Sequence, residues 1–462
     1  MRVLALLVCL VLALSPAAAG DQAKARGELI QRLLALASWC NEKELFLQRD
    51  NLWRSVLSLQ PENADARKGL RYSRDGQGNW KEPPPREVKD RAPALLPELA
   101  KRRSEAVAAW RDELLKLLDE QQADPKAREA TLAEILGVDP DDAKVRGLRG
   151  ETKVENAWVL EESATGKARR AEIRATIEAA RAEAAKPENV EPSAQDLGYL
   201  PAWKLAWSAE GLRLLLQTSE AEGRELVQTA HAARLLLSKL SGKEAALPPN
   251  FSAYVLSEAA DRDRFAAALT EVPEADRKTW KESSGAGIPG KEAVVLWHKD
   301  AKRRLDCFAR HVLAGLLLHG FGIDARQGWA FEGLGLYLSR ELVGTRFTWF
   351  ILASGGELEK LKPKLLAPES NWMAETLKLY KSATPPKLAE ALPKALGALK
   401  LDELLACYSF SAYLVEGLPA ELPGILERIG QGEAPLEVIV AATHRPFPEV
   451  EARFVRWLEE RR

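Results

Sequence analysis

Apolar residues along the first part of the chain recur at helical spacing. Leu29 to Leu36, Leu45 to Leu59 and Ala64 to Tyr72 each read as helix, with Pro61-Glu62-Asn63 breaking the chain between the last two. A charged amphipathic helix is predicted over about Leu95 to Gln121, after the stiff, extended Glu82-Pro83-Pro84-Pro85-Arg86. Lys167 to Lys186 is mostly Ala, Arg and Glu, the pattern of a solvated helix. Pro187-Glu188-Asn189-Val190-Glu191-Pro192 then breaks the chain, and the pattern changes beyond it. Strands are predicted at Gly211 to Ser219, Phe251 to Glu258 and Glu292 to His298, with helices at Glu220 to Leu240 and Arg303 to His319. The expected fold class is α+β, predominantly helical, with an N-terminal helical hairpin region ahead of a mixed sheet plus helices.

The helical part repeats itself. Val56-Leu57-Ser58-Leu59-Gln60-Pro61-Glu62-Asn63-Ala64-Asp65-Ala66-Arg67 aligns with Ile135-Leu136-Gly137-Val138-Asp139-Pro140-Asp141-Asp142-Ala143-Lys144-Val145-Arg146, and Trp80 and Trp158 follow at nearly equal distances. This unit resembles the tetratricopeptide-like helical hairpin, in which L-x-P-x-x-x-x-A closes one helix and opens the next. Two copies are too few for a free-standing solenoid and suit scaffold hairpins packed on a neighbour better than a dedicated peptide-binding groove. The expected organisation is residues 1–19 a signal peptide, 20–82 the first hairpin, 83–192 a helical region with the second unit and the charged helix, and 193–462 the mixed domain.

The signal peptide is read from Met1-Arg2, the apolar run Val3 to Leu14 and the small-residue site Ala17-Ala18-Ala19, with cleavage expected after Ala19. The expected location is exported: periplasm, cell envelope or medium. Cys9 lacks the small residues that precede a lipidated cysteine. No other span approaches the eighteen or so apolar residues of a bilayer crossing, so no integral membrane span is expected after cleavage. Cys40, Cys307 and Cys407 remain, leaving open a Cys307–Cys407 disulfide beside buried free thiols. Lys and Arg total 66 against 67 Asp and Glu, which carries no electrostatic footprint for nucleic acid.

The segment with most chemical content is His311-Val312-Leu313-Ala314-Gly315, followed by Trp329-Ala330-Phe331-Glu332-Gly333-Leu334-Gly335-Leu336-Tyr337. A zinc peptidase helix H-E-x-x-H places two histidines one turn apart and uses the intervening Glu to polarise the metal-bound water. Here the first histidine remains, Val312 stands at the general base and Gly315 at the second ligand. The third-ligand position is kept by Glu332, in W-x-x-E-G-L-x-x-Y context with Tyr337. The pattern resembles the gluzincin metallopeptidases, in particular the peptidase MA-like domains of bacterial secreted proteins, over about Leu197 to Arg462. The order of strands and helices ahead of the motif agrees, and Leu401 to Leu404, Tyr408 to Leu414 and Glu449 to Leu458 look like the family's closing helices. The resemblance implies a residual site of His311, Glu332 and Tyr337, with no catalytic residue, no cofactor and no metal.

Other chemistry is weakly signalled. Gly285-Ala286-Gly287-Ile288-Pro289-Gly290 fits G-x-G-x-x-G but contains a proline and leads into a strand, so a loop between strands is expected. His231, His298, His319 and His444 are the remaining histidines; His319 lies eight residues beyond His311, too far along the helix to share one ion, and Asp306 lies within the helix pair without standing beside the first ligand. There is no G-x-S-x-G elbow. The expected function is protein or peptide binding, or envelope scaffolding, by a catalytically inactive metallopeptidase-like domain. The alternative is a zinc-dependent hydrolase whose ligands have moved to His298, His311 and Glu332; a third reading keeps the fold as a structural module only.

Overall fold

The computed structural model describes residues 16–120, 125–270, 272–274, 277, 283–345, 367 and 370–461. The segment expected to be a signal peptide lies outside the described residues up to Ser15; Pro16 to Ala19 begin the first helix. Helix accounts for 62% and strand for 9%, so the fold is α+β and predominantly helical. Among the described residues no helix is long and apolar enough to cross a membrane.

The chain divides by its contacts into two units, residues 1–152 and 153–462. The division therefore falls some forty residues before the expected break at 187–192. The solvated-looking helix Glu161–Glu183 belongs to the second unit because Ile173, Ile177 and Ala180 are buried in its core.

The first unit holds α1 (Pro16–Glu42), α2 (Phe46–Leu59), α3 (Ala64–Gly69), the hairpin β1 (Ser73–Arg74) and β2 (Trp80–Lys81), α4 (Leu96–Glu120), α5 (Pro125–Val138) and α6 (Ala143–Leu148). The sequence repeat is a structural repeat. In each copy a fourteen-residue helix is followed by a six-residue one whose N-cap carboxamide or carboxylate accepts a backbone N–H: Asn63 from Ala66 at 3.0 Å, Asp142 from Val145 at 2.9 Å. Each turn is closed by an arginine reaching back to the proline carbonyl, Arg67 to Pro61 at 2.7 Å and Arg146 to Pro140 at 2.9 Å. A two-stranded hairpin follows each copy and carries its tryptophan, the second being β3 (Glu151–Val154) and β4 (Ala157–Leu160).

The second unit is a six-stranded sheet with helices on both faces. Its strands are β5 (Glu188–Asn189), β6 (Leu205–Ala209), β7 (Leu212–Leu216), β8 (Phe251–Val255), β9 (Gly285–Gly287) and β10 (Ala293–Leu296), in the order β5-β6-β7-β8-β10-β9. β7, β8 and β10 are parallel; the pairs β5–β6, β6–β7 and β10–β9 are antiparallel. Central strands covered on both faces read as continuous apolar runs, and β8 is buried along its whole length. Alternation then separates two cores. Leu214, Leu216, Ala253, Val255, Val294 and Leu296 enter the larger one, while Leu215, Tyr254 and Val295 enter a smaller one with Tyr199 and Phe265.

The larger core takes α7 (Glu161–Glu183) and α9 (Glu220–Ser241), and the smaller takes α8 (Ala194–Tyr199) and α10 (Ala259–Ala268). α11 (Ala301–Phe321) starts at an Asp300 cap accepting from Lys302 N at 3.0 Å and stops at Gly322, whose φ of +75° allows Gly322 N and Ile323 N to reach the last carbonyls. After it come a π-helical turn (Trp329–Leu334), α12 (Gly335–Val343), α13 (Trp372–Tyr380), α14 (Leu388–Ala391), α15 (Leu401–Gly417), α16 (Leu422–Gly430), α17 (Pro435–Thr443) and α18 (Phe447–Glu460).

One expectation is overturned outright. Gly285 to Gly287 is not a loop between strands but the edge strand β9, antiparallel to β10. Cys307 and Cys407 are buried free thiols rather than a disulfide.

Candidate functional site

α11 carries His311, and the π-helical turn carries Glu332. Glu332 and Gly333 sit where the widened turn is pressed against α15: a Cβ at 333 would lie 2.8 Å from the Cys407 carbonyl, so only glycine permits the approach. The carboxylate of Glu332 is wholly buried, and its partner is Arg310, the residue just before His311. Arg310 Nη2 donates to Glu332 Oε2 at 2.5 Å and to the Phe331 carbonyl at 2.7 Å, and neither Arg310 nor Glu332 has any exposed surface. The guanidinium also lies over the Phe331 ring, 4.8 Å from its centroid. Gly335 leaves room for it, since a Cβ there would sit 2.7 Å from Arg310 Cζ.

Consecutive helical residues point about 100° apart. With residue 310 aimed at Glu332, residue 311 looks toward the sheet edge. His311 Nδ1 donates to the Cys307 carbonyl at 2.8 Å and lies 3.6 Å from Cys307 Sγ, and its Cδ2 and Nε2 are each 3.9 Å from the position a Cβ would take on Gly287 of β9. Burial, with the Arg310 charge adding to it, lowers the imidazole to about 4 against the backbone hydrogen bond. Burial likewise pushes the Cys307 thiol well up, and the Asp306 charge adds to the effect. Both shifts favour neutral forms, so the Cys307–His311 contact is not a thiolate–imidazolium pair of the kind nucleophilic cysteines need.

Tyr337 goes to a third place. Its hydroxyl donates to Glu416 Oε1 at 3.0 Å, and Glu416, with no exposed surface, accepts from Arg170 at 2.6 Å and from Arg461 at 2.6 and 2.8 Å. Burial and the Glu416 charge raise the phenol well above its ordinary range. Val312 is buried in the larger core. A side chain at 315 would begin against Pro248, Leu247 and Phe251, at 3.4, 3.8 and 3.9 Å. The motif's residues are thus drawn to separate surroundings: Glu332 to Arg310, His311 to Cys307 and β9, Tyr337 to Glu416.

His298 Nδ1 accepts from Asp300 N at 3.0 Å at the start of α11, and burial with the Arg303 charge lowers its pKa. Among the described residues no three of His, Cys, Asp and Glu come close enough to hold a metal ion, which includes the relocated set His298, His311 and Glu332. The residue that sequence reading missed is Arg310. The signal for it is indirect: a carboxylate expected between two apolar helices needs a cation beside it.

Comparison with family models, with curated proteins and with solved structures returns no match.

Proposed function

We propose that this is an exported binding or scaffolding protein in which a metallopeptidase-like frame holds a protein or peptide segment without cleaving it. The observation that carries this reading is the Arg310–Glu332 pair: the carboxylate a catalytic zinc would need is taken by a guanidinium at 2.5 Å, with no solvent-exposed surface on either. A charge that a metal would neutralise is neutralised by the chain itself.

The sheet edge supports peptide binding by strand addition. In the β9–β10 ladder Ile288 N reaches Ala293 O and Trp297 N reaches Ser284 O, with Ala286 opposite Val295. Residues 284, 286 and 288 therefore bond inward, and Gly285 and Gly287 turn their N–H and C=O outward. Gly287 is exposed and without a side chain, so another backbone can approach it closely.

The test has two arms. The purified full chain is assayed for zinc by mass spectrometry and for cleavage of a mixed peptide library, and the same library is screened for binding. Binding without cleavage, weakened about tenfold or more by Gly287→Pro, which deletes an outward donor and spares the β10 ladder, is expected. One equivalent of zinc kept through dialysis and lost in His311→Ala, or peptide cleavage that depends on it, overturns the reading in favour of the zinc hydrolase.

A further inference from the structure

We draw no further inference here: the strongest candidate, the patch of exposed cations Lys299, Lys302 and Arg303 at the start of α11, carries nothing, since Asp300 and Asp306 lie within the same stretch and offset most of its charge, and nothing in the structure shows what covers it.

Discussion

Replacing Arg310 by methionine tests whether the helix pair is held by an internal ion pair in place of a metal. The substitution keeps much of the side-chain volume and removes the cation. Glu332 is then left as a carboxylate with no exposed surface, and the Phe331 carbonyl loses its donor at 2.7 Å. Breaking a buried pair from one side costs about 3–5 kcal/mol, because the remaining buried charge loses its partner at 2.5 Å. At about 2 °C per kcal/mol for a unit of this size, the melting temperature should fall by about 6–10 °C. Chemical denaturation of wild type, Arg310→Met, Glu332→Leu and the double variant closes the cycle. Removing both charges leaves an apolar contact, so the double variant should recover much of the loss, with a coupling of about 2 kcal/mol or more. A loss under about 1 kcal/mol in Arg310→Met, or additive single losses, would refute the reasoning.

Four further outcomes follow from the same region. Gly335→Ala should destabilise the protein, although Gly→Ala inside a helix ordinarily stabilises it by about 1 kcal/mol, because the new Cβ meets Arg310 Cζ at 2.7 Å; thermal melting gives the sign. His311, lowered to about 4, binds fewer protons folded than unfolded below pH 6.5, so its contribution is complete above that pH and is lost as pH falls from about 6.5 to 4. Partial solvent access discounts this to roughly 2–3 kcal/mol, and His311→Gln should flatten the difference in denaturation curves across that window. Val312→Glu with Gly315→His should not bind stoichiometric zinc while Arg310 is present, since Glu332 is occupied and residue 315 starts among Pro248, Leu247 and Phe251; metal analysis of the purified variant checks it. Trp329→Ala should cost about 3–5 kcal/mol, the ring being only 1% exposed in the larger core.

Much of this fold is legible along the chain because its signals are local. The helices at 220–240 and 303–319 and the strands at 251–258 and 292–298 announce themselves by apolar period and by caps such as Ser219 and Gly322. The repeat is legible too, since Pro61 with Asn63 and Pro140 with Asp142 each specify a turn and an N-cap within a few residues. What the one-dimensional pattern misplaces depends on partners far away. Lys167 to Lys186 reads as a wet helix by composition, yet it belongs to α7 (Glu161–Glu183), in which Glu162 is bound by Arg453 and Tyr413, and Arg170 by Glu416, nearly three hundred residues on in the first case.

β9 is hidden for a related reason: glycines carry no strand signal, and only the pairing with β10 makes one of them. The motif residues themselves are visible from spacing, but their partners are not. A frame of one residue on α11, about 100° of rotation, decides whether Glu332 meets an imidazole or a guanidinium, and the close approach that Gly333 and Gly335 allow settles it in favour of Arg310.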